Sequence, residues 1–230
     1  MISRSASHAA CLLYSRPLDF RYIAIEGPIG AGKSALAERL AARLEASLVR
    51  EDPDNPFLAD FYADRPGAAL QTQLFYLLNR HRQQTSLQQA NLFAQHTVCD
   101  YLFDKDKIFA YLNLDDNELF IYQKLYELLA QDVPTPDLVI YLQTPTDKLT
   151  RRLRSRAQDP EAAALVPDED YVREVNEAYQ HFFFHYSATS LLVVETSQVD
   201  LHTSDAALDD LLRQIRGMGR GTQYYVPRTG

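Results

Sequence analysis

The sequence is poor in cysteine, poor in glycine and short of positive charge. Its two cysteines, Cys11 and Cys99, cannot build a disulfide framework, and thiols so far apart lack zinc-site spacing. A reducing compartment, the cytoplasm, is the expected location. No apolar run approaches the roughly 20 residues of a membrane span. The 230 residues carry 23 Lys+Arg against 31 Asp+Glu, a net charge of −8. That balance argues against a dedicated binder of nucleic-acid polymers or anionic membranes, since both need a positive field. Residues 1–18 have neither the h-region nor the cleavage site of a signal peptide and are read as a flexible extension. Residues 217–230 are read as a loose basic tail. Residues 19–216 then make one domain able to bury a full core. The scarcity of glycine is informative: of eight in the chain, Gly27, Gly30 and Gly32 fall within six residues.

Short apolar runs at 22–25, 48–49, 97–99, 138–142 and 191–194 read as about five buried strands. Between them the spacing predicts helices over 34–45, 55–62, 67–90, 116–129, 146–156, 168–186 and 205–216. Strands alternating with longer helices imply an α/β fold of three layers, a central parallel sheet covered on both faces. Ligands of such sheets bind at the carboxyl ends of strands. Glu26-Gly27, Glu51-Asp52, Asp100 and Gln143-Thr144 stand at those ends.

The clustered glycines belong to Gly27-Pro28-Ile29-Gly30-Ala31-Gly32-Lys33-Ser34, which fits G-x-x-x-x-G-K-[ST] at every fixed position. Glycines let the backbone turn tightly and bring its N–H groups to phosphate oxygens. The helix that follows adds the positive end of its dipole. Lys33 is placed to reach the β- and γ-phosphates of a nucleotide, and the Ser34 hydroxyl to hold Mg²⁺. A guanine-nucleotide switch also needs an Asn/Thr-Lys-x-Asp base reader, which the chain lacks. A motor or AAA-type ATPase needs more chain, so a small kinase using Mg·ATP is the natural remainder.

The segment from Tyr22 to Ser34 resembles the opening of the deoxyribonucleoside kinases, most of all the bacterial deoxyadenosine/deoxyguanosine kinases. Further segments match in order: Glu51-Asp52-Pro53-Asp54-Asn55-Pro56-Phe57-Leu58, Phe61-Tyr62, Gln71-Thr72-Gln73-Leu74-Phe75, Asp100-Tyr101-Leu102-Phe103-Asp104-Lys105, 136–143 and Asn176-Glu177-Ala178-Tyr179. The likeness runs from about residue 21 to 200. It implies a P-loop kinase fold with an arginine-bearing lid and transfer of a phosphoryl group from ATP to the 5′-hydroxyl of a deoxyribonucleoside. It also implies a homodimer.

Within that frame Glu51, just past the second strand, is the favoured general base, with Asp52 in competition. The basic run Arg151-Arg152-Leu153-Arg154-Ser155-Arg156 resembles the lid. Arg151 and Arg156 are its expected catalytic carriers and Arg154 a further contact to ATP. The lid's usual Gly-flanked arginine is replaced by Ala157-Gln158-Asp159. Asp100 matches the acid that helps Ser34 hold Mg²⁺, but Tyr101 follows it where the family often has arginine. Gln73 matches the glutamine whose amide reads the base edge. Arg80 lies two helical turns on and, with an acid from Asp104 or Asp106, completes a site suited to a purine or cytosine. Asp104 is the expected substrate residue of the two. Tyr62 matches the tyrosine expected at the sugar 3′-hydroxyl. Phe75, Phe93 and Phe109 could wall the base or be plain core. His181 and His185, one turn apart, lack a third ligand and are read as ordinary partly buried histidines. The rival readings are a nucleoside monophosphate kinase, which needs more arginines in its acceptor pocket, and a nucleotide-binding regulatory module without catalysis.

Overall fold

The computed structural model describes residues 19–90, 95–159, 165–201 and 203–227. The expected extension at 1–18 and Phe93 lie outside the described residues. The strands are β1 (Tyr22–Glu26), β2 (Ser47–Val49), β3 (Thr97–Cys99), β4 (Leu138–Gln143), β5 (Ser190–Glu195) and β6 (Thr222–Tyr225). They form one sheet in the order β2-β3-β1-β4-β5-β6, and all neighbours run parallel. From β1 the chain builds first to one side and then to the other, so the loop after β1 opens into the crevice where α/β sheets bind ligands.

The strands are apolar almost throughout because both faces are covered. Ile23, Ile25, Ile140, Leu142, Leu192 and Val194 point to one face. There they meet Leu36 and Leu40 of α1 (Lys33–Leu44), Leu149 and Leu153 of α6 (Thr146–Arg156), and Leu208, Leu211 and Ile215 of α8 (Asp205–Gly217). The alternate residues Ala24, Val139, Tyr141, Leu191 and Val193 pack with Val175, Tyr179 and Phe183 of α7 (Glu169–Phe184). A third cluster joins α3 (Ala68–Ala90), α4 (Lys105–Asn113) and α5 (Asp116–Leu129) through Leu77, Ala110, Tyr122 and Tyr126, with Phe103 just before α4. Each of these large side chains contributes roughly 1.5–3 kcal/mol by leaving water. Among the described residues no helix is long and apolar enough to cross a membrane.

Four local expectations are corrected. The basic tail contributes a sixth strand: β6 pairs with β5 from Leu191↔Thr222 to Val194↔Tyr225, and buried Tyr225 donates its hydroxyl to Asp210. A four-residue edge strand that follows Gly219 and Gly221 carries too little hydrophobic pattern to be seen without its partner. Helix α4 was not expected either, because its first turn reads Lys105-Asp106-Lys107; Lys105 and Asp106 are nevertheless buried, against partners distant in the chain. Helix α2 (Leu58–Tyr62) begins later than Pro56, since Asn55 accepts from the Phe57 N–H at 3.0 Å in a local turn. His181 and His185 are exposed with their rings 4.8 Å apart, rather than partly buried.

Candidate active site

The phosphate loop is shaped by backbone requirements. Gly32, just before α1, has φ 95°, a left-handed conformation that strains other residues. A Cβ on Gly27 would meet Leu142 O at 3.0 Å and Ala31 Cβ at 3.2 Å. Glu26, fully buried at the end of β1, fastens the loop: it accepts from Gly27 N (2.8 Å), Leu102 N (2.8 Å) and Tyr179 Oη (3.1 Å). Lys33 folds over its own loop, donating to Gly27 O at 2.7 Å, with Glu26 at 3.8 Å. Burial lowers its pKa, opposed by the Glu26 carboxylate and reinforced by nearby Lys105.

A cavity of about 640 Å³ opens beside this loop. It is lined by Lys33 and Ser34 on one side, by Tyr62, Gln73, Tyr76 and Arg80 on another, and by Glu51, Asp100, Lys105, Phe109 and Arg156. Glu51 is its electrostatic centre. Oε1 accepts from Arg80 Nε (2.8 Å) and Nη2 (2.6 Å), Oε2 accepts from Lys105 Nζ, and its own N–H donates to Asp100 Oδ1 at 2.6 Å. Burial pushes the Glu51 pKa up, but Lys105 and Arg80 outweigh it and hold the carboxyl well below the usual carboxylate range. Asp52 does not line the cavity; it is exposed and accepts from Asp54 N at 3.1 Å.

Arg80 also bonds the buried Asp106 through Nη1, and its guanidinium lies 4.6 Å from the ring centre of Tyr76. Burial pushes Asp106 up to about 6 against the pull of Arg80, and Tyr122 donates to its other oxygen at 3.2 Å. Beside this pair the amide oxygen of Gln73 is buried with no hydrogen-bond partner. A buried acceptor left unpaired costs about 1–3 kcal/mol, so the cavity wall is built for a donor it does not itself contain. Burial pushes the Tyr62 pKa up to about 12, opposed by Arg156, so its hydroxyl stays neutral at the cavity edge. A phosphate-binding loop, a carboxylate fixed beside it and a polar cleft with an open acceptor can bring a phosphoryl donor against a hydroxyl acceptor.

The deoxynucleoside kinase family model matches residues 23–218. The chain belongs to the deoxynucleoside kinase family. It is thus an ATP-dependent phosphotransferase. It is 35% identical over 139 residues to a deoxyguanosine kinase of Bacillus subtilis, covering 60% of this chain and 67% of that one. It is 34% identical over 176 residues to a deoxyadenosine kinase of Dictyostelium discoideum (74% and 69%), and 29% identical over 207 residues to a deoxyadenosine kinase of Lactobacillus acidophilus (84% and 94%). Among solved structures, the deoxyadenosine kinase from M. mycoides with bound dATP shares the fold. Its TM-score is 0.68 at 24% identity, covering 86% of this chain and all of that one.

Within this kinase some expected site residues fall elsewhere. Asp104 is not in the cavity: it accepts from Tyr126 Oη (2.6 Å) and Lys107 Nζ (2.8 Å), and Asp106 takes the place beside Arg80. On a helix, side chains two residues apart point to nearly opposite faces. Arg151 and Arg154 also turn away, into ion pairs with Asp147 and Glu169 along a shallow outer groove. Arg152 and Arg156 share the inner face of α6 with buried Leu149 and Leu153. Arg152 donates to Gly30 O (2.9 Å) and Ala31 O (3.2 Å) and pairs with Asp200, whereas Arg156 lines the cavity. Phe75 packs edge-on against Phe57 outside the cavity, while Phe109 lines it.

Sequence reasoning marked Glu26 only as a strand end and Arg152 only as part of the basic run, and gave Lys105 no role. Arg152 was recoverable, since 149, 152, 153 and 156 follow the i, i+3, i+4, i+7 pattern of one face.

The Ser34 hydroxyl and Asp100 carboxylate, both lining the cavity, are hard oxygen donors of the kind Mg²⁺ takes. Among the described residues no cluster of three His, Cys, Asp or Glu could hold a metal alone. Mg²⁺ is commonly bound by one or two protein groups together with water and substrate phosphates.

Proposed function

We propose that this protein transfers the γ-phosphoryl group of Mg·ATP to the 5′-hydroxyl of a purine deoxyribonucleoside, deoxyadenosine or deoxyguanosine, in nucleotide salvage. The observation that carries this reading is Glu51, an anchored carboxylate between the phosphate loop and the polar pocket of Gln73, Arg80 and Asp106. Glu51 takes the proton of the 5′-hydroxyl. A weak base is adequate here. In a loose transition state the hydroxyl becomes acidic only as its bond to phosphorus forms. Lys33 and Arg156 counter the phosphate charge, and Tyr62 holds the sugar 3′-hydroxyl. The unpartnered Gln73 oxygen accepts from a base, and the Arg80–Asp106 pair orients it. Mg²⁺, held by Ser34 and Asp100, supplies charge neutralisation on the phosphate oxygens when bound. The purine preference is supported by relatives named for deoxyguanosine and deoxyadenosine.

The test is ADP release with Mg·ATP and each of the four deoxynucleosides and their monophosphates. Turnover is expected to be highest with deoxyadenosine or deoxyguanosine. Silence towards all nucleosides, or faster turnover of monophosphates, would overturn the reading. We propose further that the protein works in the cytoplasm, which fractionation checks, and that it is a homodimer. Tyr111, Phe120, Ile121 and Leu128 expose 61%, 61%, 53% and 63% of their surface on α4 and α5, an apolar face that a second copy would cover. Sedimentation is expected to give one species of twice the 26.2 kDa chain mass.

A further inference from the structure

Glu51 is crowded with donors. A carboxylate that is to accept a hydroxyl proton must offer that proton an oxygen within hydrogen-bond reach, yet Oε1 takes two N–H groups of Arg80 and Oε2 takes the Lys105 ammonium. Three of the carboxylate's roughly four acceptor sites are thus taken, so the hydroxyl must share Oε2 with Lys105 or displace it, and the two cations are held very differently. Arg80 is gripped from three sides, by Glu51, by buried Asp106 and by the Tyr76 ring. Lys105 makes one ion pair within 4.0 Å among the described residues, to Glu51; Asp106 attracts it from farther off, and the Tyr101 ring centre lies 5.8 Å away. A lysine ammonium is a compact charge on a flexible four-carbon stem, able to change partners by rotation. Lys105 stands at the start of α4 and lines the same cavity as Lys33 and Ser34.

Beyond Lys33 and Arg156, the cavity has little further positive charge to offer a phosphoryl group. Tyr101 follows Asp100, Arg151 and Arg154 are turned outward, and Arg50 is paired with Glu38 at 3.0 Å. We propose that Lys105 is a catalytic residue whose ammonium leaves Glu51 Oε2 once both substrates are bound and moves onto the phosphoryl group in transfer. This inference rests on the kinase reading above. The bond from O5′ to the γ-phosphorus forms as the bond from that phosphorus to the β,γ-bridging oxygen breaks, and the bridging oxygen keeps the electron pair. The O5′ proton passes to Oε2, the oxygen Lys105 has vacated. Lys105 stays an ammonium throughout and counters charge on the equatorial oxygens.

The experiment is steady-state kinetics of the full chain carrying Lys105→Met or Lys105→Arg. Losing one preorganised donor to the transition state is expected to lower kcat about 10²–10³-fold in Lys105→Met. The nucleoside KM should stay within about threefold, because the Tyr62, Gln73 and Asp106 contacts remain. Lys105→Arg, which keeps the charge, should recover at least about tenfold of that loss. A Lys105→Met enzyme with kcat within about threefold of wild type overturns the proposal. So does one that loses nucleoside affinity while keeping kcat, which would make Lys105 only a binding contact of the nucleoside pocket. If Lys105→Met does not fold, Lys105→Gln, a neutral donor to Glu51, is judged by the same criteria. A wild-type protein silent towards every deoxynucleoside sinks the kinase reading itself, whereas an active wild type with an unimpaired Lys105→Met sinks this inference alone.

Discussion

Glu51→Gln is expected to lower kcat about 10³-fold, within the usual 10²–10⁴ of a general base, and to leave nucleoside binding within a few-fold of wild type. The amide keeps the shape of the carboxylate and can still accept from Arg80, so the pocket keeps its walls. What it cannot do is take a proton. The adjacent carboxylate is the internal control. Asp52 is exposed and outside the cavity, and Asp52→Asn is expected to leave kcat nearly unchanged. Calorimetric nucleoside titration together with steady-state kinetics separates binding from chemistry. The base assignment falls if Asp52→Asn is the silent variant, or if Glu51→Gln retains a tenth of the wild-type rate. The charge around Glu51 adds a pH signature. Lys105 and Arg80 overcome the effect of burial and hold its pKa below the usual carboxylate range. The carboxylate therefore stays ionised as pH falls from 8 to about 5.5, and wild-type kcat/KM should show no loss from protonation of Glu51 across that interval.

Arg80→Met is expected to damage the fold as well as the reaction. Arg80 is the counter-ion of Asp106, which is fully buried, and one of two for Glu51. Removing one partner of a buried pair typically costs about 3–5 kcal/mol, because the remaining charge is left uncompensated. For a chain of this size that corresponds to a fall in Tm of about 10 °C or more. The sign of the pH dependence follows from Asp106. Burial already raises its pKa to about 6, with Arg80 pulling it down. Without Arg80 the pKa rises further, and the folded variant takes up a proton more readily than the unfolded chain. The stability deficit should therefore shrink as pH falls towards 5 and widen towards pH 8. Asp106→Asn in the Arg80→Met background removes the orphaned charge and should restore part of the Tm at pH 8 while leaving activity low. Differential scanning calorimetry at the two pH values checks both statements. An Arg80→Met protein as stable as wild type at pH 8 would show that the pair contributes nothing net.

Much of the fold was legible in the chain because strands buried on both faces must be apolar along their whole length. The runs at 138–142 and 191–194 could hardly be anything else. The phosphate loop was legible for a different reason: each of its fixed positions answers a local demand, whether the left-handed turn at Gly32 or the close approach at Gly27. Gln73 came from the family resemblance, and Arg80 was legible beside it because helical spacing puts the two near one face. These are properties of a few neighbouring residues, and sequence carries them directly.

Tertiary structure decided what depends on distant partners. Lys105 and Asp106 look like a solvated turn until Glu51, 54 residues from Lys105 in the chain, and Arg80, 26 from Asp106, are brought against them. Whether Asp104 or Asp106 faces Arg80 is a question of helix phase, settled by the packing of α4 against α3 and α5. The same holds for the arginines of α6. Composition marks all of them as one basic run, but the burial of Leu149 and Leu153 turns Arg152 and Arg156 inward and leaves Arg151 and Arg154 to the surface. By itself the sequence determined a phosphate-binding loop on a parallel α/β sheet, with its glycines where the backbone must turn. The folded molecule decided which charges meet at Glu51, because low-dielectric contacts between residues far apart in the chain leave no local pattern to read.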